Sequence, residues 1–219
     1  MKKYLEILLK CPLFGGIGEE ELLRMLTCFG ARIERFDKKY TIFAEGSHAR
    51  HMGILLSGEA QIVQFDYYGN KSILSNIAPS EMFAEAFACA DVESLPVAVI
   101  ATEPSEVLFV DCNHILHTCS NNCGFHQQLI LNLVRDLAEN AIRFHQKVEV
   151  TGKRTTREKL MTYLLLQSKS AGSTSFEIPF DRQELADYLE VDRSGLSAEI
   201  GKLKKEGVLD CRKNRFELL

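Results

Sequence analysis

The sequence has no tryptophan, only five prolines in 219 residues, and no apolar run near the ~20 residues that cross a bilayer. The missing run excludes a membrane-spanning helix. Scarce proline and the lack of any low-complexity tract exclude collagen-like and proline-rich disordered chains. An export signal is lacking too. The opening MKKYLEILLKCPLF starts basic and turns apolar, but Glu6 and Lys10 interrupt it and no small-residue cleavage site follows. It reads as a short amphipathic helix of a cytoplasmic protein. The seven cysteines are odd in number and unevenly spaced, so a disulfide framework is a poor reading and the thiols are expected to be reduced, with metal binding, redox sensing and simple packing left open. Lysine and arginine are absent throughout the stretch between Lys71 and Arg135.

What is present is 46% apolar, enough for one large core or two small ones. Charge is unevenly spread: residues 1–150 hold 13 Lys and Arg against 19 Asp and Glu, whereas residues 151–219 hold 13 against 11. The C-terminal third is thus mildly basic on an acidic chain of net charge −4.

Three regions differ in period. From about residue 31, alternating stretches such as YTIFAEG, GILLSG and AQIVQFDYYGNKSILSNI predict six to eight short strands. Tyr68-Gly69-Asn70 forms a hairpin turn between two of them. Such strands suit an antiparallel barrel or roll. Residues 125–150 carry no Pro or Gly, and Ile130, Leu133, Leu137, Ala141, Phe144 and Val148 step by threes and fours along one stripe. That predicts a helix of roughly 39 Å with an apolar seam, packed either on a twin subunit's helix or on the chain's own β-roll. Thr151-Gly152 breaks the helix. A further helix (155–170) and the strand FEIPF follow. The expected architecture is α+β, with domains at 1–124 (antiparallel double-stranded β-roll), 125–150 (dimerisation helix) and 151–219 (winged helix-turn-helix).

Residues 181–207 carry the most specific pattern. Asp181 and Glu184 have capping-box spacing, and Leu185, small Ala186 and Leu189 form an apolar face. Glu190-Val191 make a tight turn, with Val191 expected in the core. Asp192 caps a second helix whose inner positions are Leu196, Ile200 and Leu203. This is a helix-turn-helix, followed by a hairpin around Arg212-Lys213-Asn214-Arg215 that reads as a wing. Arg193 is the base-reading candidate, because its fork matches the two acceptors of guanine. Ser194 and Ser197 stand near it and reach bases or phosphates. Arg182, Lys202, Arg212, Lys213 and Arg215 are assigned to phosphates of double-stranded promoter DNA.

With these motifs in hand, essentially the whole chain resembles the catabolite-activator/FNR superfamily of bacterial regulators. The resemblance rests on CPLFGGIGEEEL, IFAEGSHARHMGILLSGEAQIV, FAEAFACA, the long helix and DRQELADYLEVDRSGLSAEIGKLKKEG. It implies a homodimer that binds a small effector between β-roll and long helix and reorients its DNA-binding domains. Where it activates, RNA polymerase is a partner. The pocket would include Ala84, Glu85, Ala86, Phe87, Leu95 and Pro96.

Cyclic AMP is not expected as effector. The family's Gly-Glu pair is Ala84-Glu85 here, and Leu95-Pro96 replaces its Arg-Ser. A buried cyclic phosphate also needs a cationic donor, which the stretch after Lys71 lacks. The effector and any cofactor are left unknown, with a small apolar or weakly polar ligand favoured. The recognition helix departs from the family as well, with Ser194 for Glu and Ala198 for the second Arg.

The clustered N-terminal cysteines of the FNR sensors are missing, since only Cys11 and Cys28 lie there. Instead Cys112, His114, His117, Cys119 and Cys123 fall within twelve residues. That density admits a metal or iron–sulfur site, an oxidant sensor or plain packing, and it fits no metal template. A β-roll dioxygenase would need two His and a carboxylate from adjacent strands, and no such set occurs. An enzyme is therefore not expected.

Overall fold

Two short helices open the chain, α1 (Leu5–Lys10) and α2 (Glu19–Cys28). Three glutamates fill the first turn of α2, where the helix dipole favours negative charge. The computed structural model describes residues 2–116 and 125–219.

The alternating region becomes β1 (Arg32–Phe36), β2 (Thr41–Phe43), β3 (His51–Ser57), β4 (Ala60–Phe65), β5 (Lys71–Ile77) and β6 (Met82–Phe83), then β7 (Ala98–Ala101) and β8 (Ser105–Asp111). Helix α3 (Glu85–Cys89) interrupts the series after β6, and α4 (Cys112–Leu116) follows β8. The strands make two antiparallel sheets, ordered β1-β8-β3-β6 and β2-β7-β4-β5.

β3 and β8 lie in the middle of the first sheet and are covered on both faces. Leu55, Val107 and Phe109 point between the sheets, where Phe43 meets Phe83 and Phe109 edge to face at 5.9 and 5.6 Å. Ile54, Leu56, Leu108 and Val110 point the other way, into a second core with Leu13, Phe14, Leu22 and Leu26. Burial on two sides explains why GILLSG is a continuous apolar run and not an alternation.

The β4–β5 turn is organised by Asp66, whose Oδ1 accepts the amides of Tyr68 and Asn70, each at 2.8 Å. Gly69 takes φ 82° there, a conformation only glycine adopts without cost.

Helix α5 (His126–Thr151) has the expected place and length, and Gly152 ends it. Two compact units divide within it, one of Met1–Gln64 with Ser75–Ala141, the other of Phe65–Leu74 with Ile142–Leu219. The expected boundary near residue 125 adjoins residues outside those described.

The second unit continues with α6 (Thr156–Ala171), β9 (Ser175–Glu177), α7 (Arg182–Leu189), α8 (Arg193–Lys205), β10 (Leu209–Arg212) and β11 (Arg215–Leu218). Both bonds of a capping box, Thr155 with Glu158, start α6, and Gly172 ends it at φ 61°. Antiparallel β10-β11-β9 closes the unit. A bidentate Arg157–Glu206 pair, at 3.1 and 2.6 Å, ties α6 to the end of α8.

Candidate DNA-binding and effector sites

Asp181 starts α7 as its motif requires. Its Oδ1 accepts the Glu184 amide at 2.8 Å, and Glu184 Oε2 accepts the Asp181 amide at 2.8 Å. The turn then runs through Glu190 in the left-handed region, φ 54° and ψ 55°, so the chain reverses without a glycine. Val191 is half-buried, against the expectation that it sits in the core. The link to α7 is its backbone amide, donated to Ala186 O at 3.1 Å. Asp192 accepts the Gly195 amide at 2.9 Å and the Ser194 hydroxyl, which hold its carboxyl below the ordinary value.

Leu196, Ile200 and Leu203 are buried, so α8 turns its other side outward. Arg193, Ser194, Ser197, Lys202, Arg212, Lys213 and Arg215 are all exposed, as their assignment needs. Arg193 occupies the first position of α8. Ser197 and Ala198 share the outer face with Lys205, a cation the motif reading passed over. Arg212 and Arg215 face each other across the tight wing turn, where Lys213 takes φ 57°.

Arg182 is different. It is half-buried with its guanidinium 5.8 Å from the Phe216 ring, so it braces the wing instead of reaching freely for phosphate. Arg215 lies 3.3 Å from Ser175 Oγ, and Lys202 pairs with Glu199 at 3.3 Å. These are light restraints on exposed side chains.

The pocket residues divide. Ala84, at φ 61°, and Glu85 are buried, Phe87 is half-buried, and Ala86 is exposed. Leu95 is buried, with its amide on Ser47 O at 2.9 Å, while Pro96 is exposed. α5 adds what the sequence reading lacked. Asn140 Nδ2 donates to Glu85 Oε1 at 2.7 Å and to Asp136 Oδ2 at 3.0 Å. Glu85 and Asp136 are 5% and 7% exposed, so two buried carboxylates meet one amide. The groups that α5 brings beside Glu85 are therefore polar.

The stripe on α5 needs correction too. Leu133 is 1% exposed and Leu137 packs on the core beneath the β-roll, so these two serve their own chain. Asn132 sits on the same side, donating to Leu13 O and Gly15 O, both at 2.9 Å. The outward apolar face is rotated from the expected one. It runs through Leu131, Val134, Ala138, Ala141, Ile142 and Val148, with Phe144 beside it and Ile130 half-buried. The heptad spacing could not choose between neighbouring stripes, because both are apolar.

Of the cysteine–histidine cluster, Cys112 is buried and His114 exposed on the short α4, so they face apart. His117, Cys119 and Cys123 lie outside the described residues. Among the described residues no three His, Cys, Asp or Glu side chains group as metal ligands, and no helix is long and apolar enough to cross a membrane.

Comparison with known proteins agrees with this arrangement. A cyclic nucleotide-binding domain family model matches residues 33–122, and a Crp-like helix-turn-helix domain model matches residues 158–219. The transcriptional activator protein FnrL of Cereibacter sphaeroides is 21% identical over 194 residues, covering 82% of this chain and 73% of that protein. Among solved structures, the c-di-GMP-responsive regulator CLP of Xanthomonas campestris aligns with a TM-score of 0.70 at 15% identity, covering 90% of this chain and 98% of that one. A CooA mutant from Carboxydothermus hydrogenoformans aligns at 0.68 and 17%, covering 88% and 85%. At these identities the structural likeness concerns the fold.

Proposed function

Because the chain belongs to the catabolite-activator/FNR family of transcription regulators, we propose that it works as a cytoplasmic homodimer that places two copies of α8 in successive major grooves of a palindromic promoter site. One observation carries the reading. Arg193 stands exposed at the first position of α8, on a helix start fixed by Asp192. The N-terminal end of a recognition helix is where base edges are read, and the guanidinium fork pairs with guanine O6 and N7. Arg212, Lys213, Arg215 and Lys205 supply phosphate contacts that fix register without specifying sequence.

The outward face of α5 supports the dimer. Leu131, Val134, Ala138, Ala141 and Val148 recur at the three–four spacing of a coiled-coil seam, and small Ala138 and Ala141 permit close approach. The effector is a small molecule other than cyclic AMP, received near Glu85 and Asn140. Ala84-Glu85 and Leu95-Pro96 support that exclusion. The named relative is an activator, which supports RNA polymerase as a partner at activated promoters.

The test is selection of bound fragments from a genomic library by purified protein, followed by anisotropy titration of the recovered site. A two-fold site, preferred about a thousandfold or more over random duplex, is expected. Equal affinity for every duplex would overturn the reading.

A further inference from the structure

We propose that Cys89 and Cys112 form an oxidisable dithiol, closed to an intramolecular disulfide by hydroperoxides, within the first structural unit.

Cys89 is the last residue of α3 and Cys112 the first of α4, and these two short helices pack together. Cys89 lies against the apolar core in which Cys112 is buried, and the two side chains interact across the α3–α4 contact. Their exposure is unequal: Cys112 is 1% exposed, Cys89 only half-buried. A partly accessible sulfur with a buried thiol behind it is the arrangement of an attacking and a resolving cysteine.

Interaction with Cys112 holds the Cys89 thiol below its ordinary value, and that interaction with burial pushes Cys112 up. Cys11, in the same core, is pushed up to about 12 by burial and stays inert.

The chemistry balances with hydrogen peroxide as oxidant. The Cys89 thiolate attacks one peroxide oxygen, the O–O bond breaks, and the released hydroxide takes up a proton as water. The resulting sulfenic acid is attacked by the Cys112 sulfur, which gives up its proton as the S–O bond breaks and a second water leaves. Two thiols lose two electrons and two protons; one peroxide becomes two waters.

Both ends of the bridge connect to the long helix. α3 begins with Glu85, the carboxylate that Asn140 of α5 holds at 2.7 Å. α4 carries Ile115, whose carbonyl accepts the Nε2–H of buried His126 at the start of α5, at 2.6 Å. A disulfide would therefore restrain two attachments of the long helix. This regulatory consequence rests on the regulator reading; the thiol chemistry does not.

The experiment treats reduced full-length protein with stoichiometric hydrogen peroxide, blocks remaining thiols with iodoacetamide and maps peptides by mass spectrometry. Expected is a loss of about 2 Da in a peptide pair joining Cys89 to Cys112, reversed by dithiothreitol. Cys89→Ser and Cys112→Ser should each lack that pair, and Cys112→Ser should trap sulfenic acid at Cys89. The assignment is overturned if both cysteines are alkylated after peroxide. It is equally overturned if Cys89 pairs elsewhere, or if purified protein holds iron or zinc that shields both. Operator affinity, read in parallel, should change about tenfold on oxidation of wild type and not of Cys112→Ser. An unchanged affinity with the disulfide formed removes the regulatory role. Absence of any duplex preference in reduced protein removes the regulator reading and leaves the dithiol standing.

Discussion

Lys147 Nζ donates to the backbone carbonyl of Ile73 at 3.2 Å, joining the long helix to the β4–β5 hairpin inside the second structural unit. The same ammonium also donates to the Tyr188 carbonyl and lies 3.9 Å from the centre of that ring. Glu190 Oε1 stands 3.9 Å away and Lys159 lies nearby. One buried cation thus ties its own helix to two other chain segments by their main-chain oxygens, in a setting that disfavours its charge.

Burial lowers the Lys147 pKa from 10.5 to about 8. Below pH 8 folded and unfolded chains both carry the ammonium, and the full burial cost is present. Between pH 8 and 10.5 the folded chain holds fewer protons than the unfolded one, so this group's contribution to stability rises with pH, by at most about 1.4 kcal/mol per unit. Lys147→Met removes the titration and leaves two carbonyls without their donor. The stability of wild type relative to Lys147→Met, from urea unfolding at pH 7, 8, 9 and 10, should therefore grow across the series. A constant difference would show that the ammonium is not desolvated in solution.

Arg193 and Lys213 should separate sequence reading from phosphate binding. Arg193→Ala is expected to cost about 1–3 kcal/mol on the preferred site and far less on random duplex, relaxing specificity. Lys213→Ala should weaken both alike and flatten the salt dependence. Anisotropy titrations over a salt series distinguish the two, and an Arg193→Ala loss shared equally by all duplexes would make Arg193 a phosphate contact.

Val134 and Leu133 are adjacent on α5 and should behave oppositely. Val134 is 55% exposed and Leu133 is 1% exposed. Val134→Glu is expected to give folded monomer by light scattering with an unshifted melting curve in dilute solution. Leu133→Ala should lower stability by about 2–5 kcal/mol through a cavity in the chain's own core, with the dimer kept. A dimeric Val134→Glu would place the seam elsewhere.

Asp181 caps α7 through a closed pair of bonds with Glu184. Asp181→Ala should cost about 1 kcal/mol in thermal or denaturant unfolding, and Asp181→Asn should recover most of it. Equal losses for the two variants would mean that the carboxylate acts by its charge alone.

Much of this was legible in sequence, because local chemistry decided it. Asp181 and Asp192 cap where their spacing to the next helix says they should, and Gly152 ends a helix. Residues joined across distance were not legible. Nothing in the pattern links Asn140 to Glu85 or Cys89 to Cys112. Lys147 reads as one more surface cation on a helix until its neighbours are known.

The amino-acid order by itself determined the elements and their succession: strands by alternation, helices by period and caps, the helix-turn-helix by small Ala186 and two capped starts. These are interactions within a few residues, so a linear pattern records them. Only the tertiary structure decided which of two apolar stripes on α5 faces inward, which candidate pocket residues are interior, and which thiols touch. Those outcomes depend on burial against segments far away in the chain, and hydrophobicity alone carries no address for a partner.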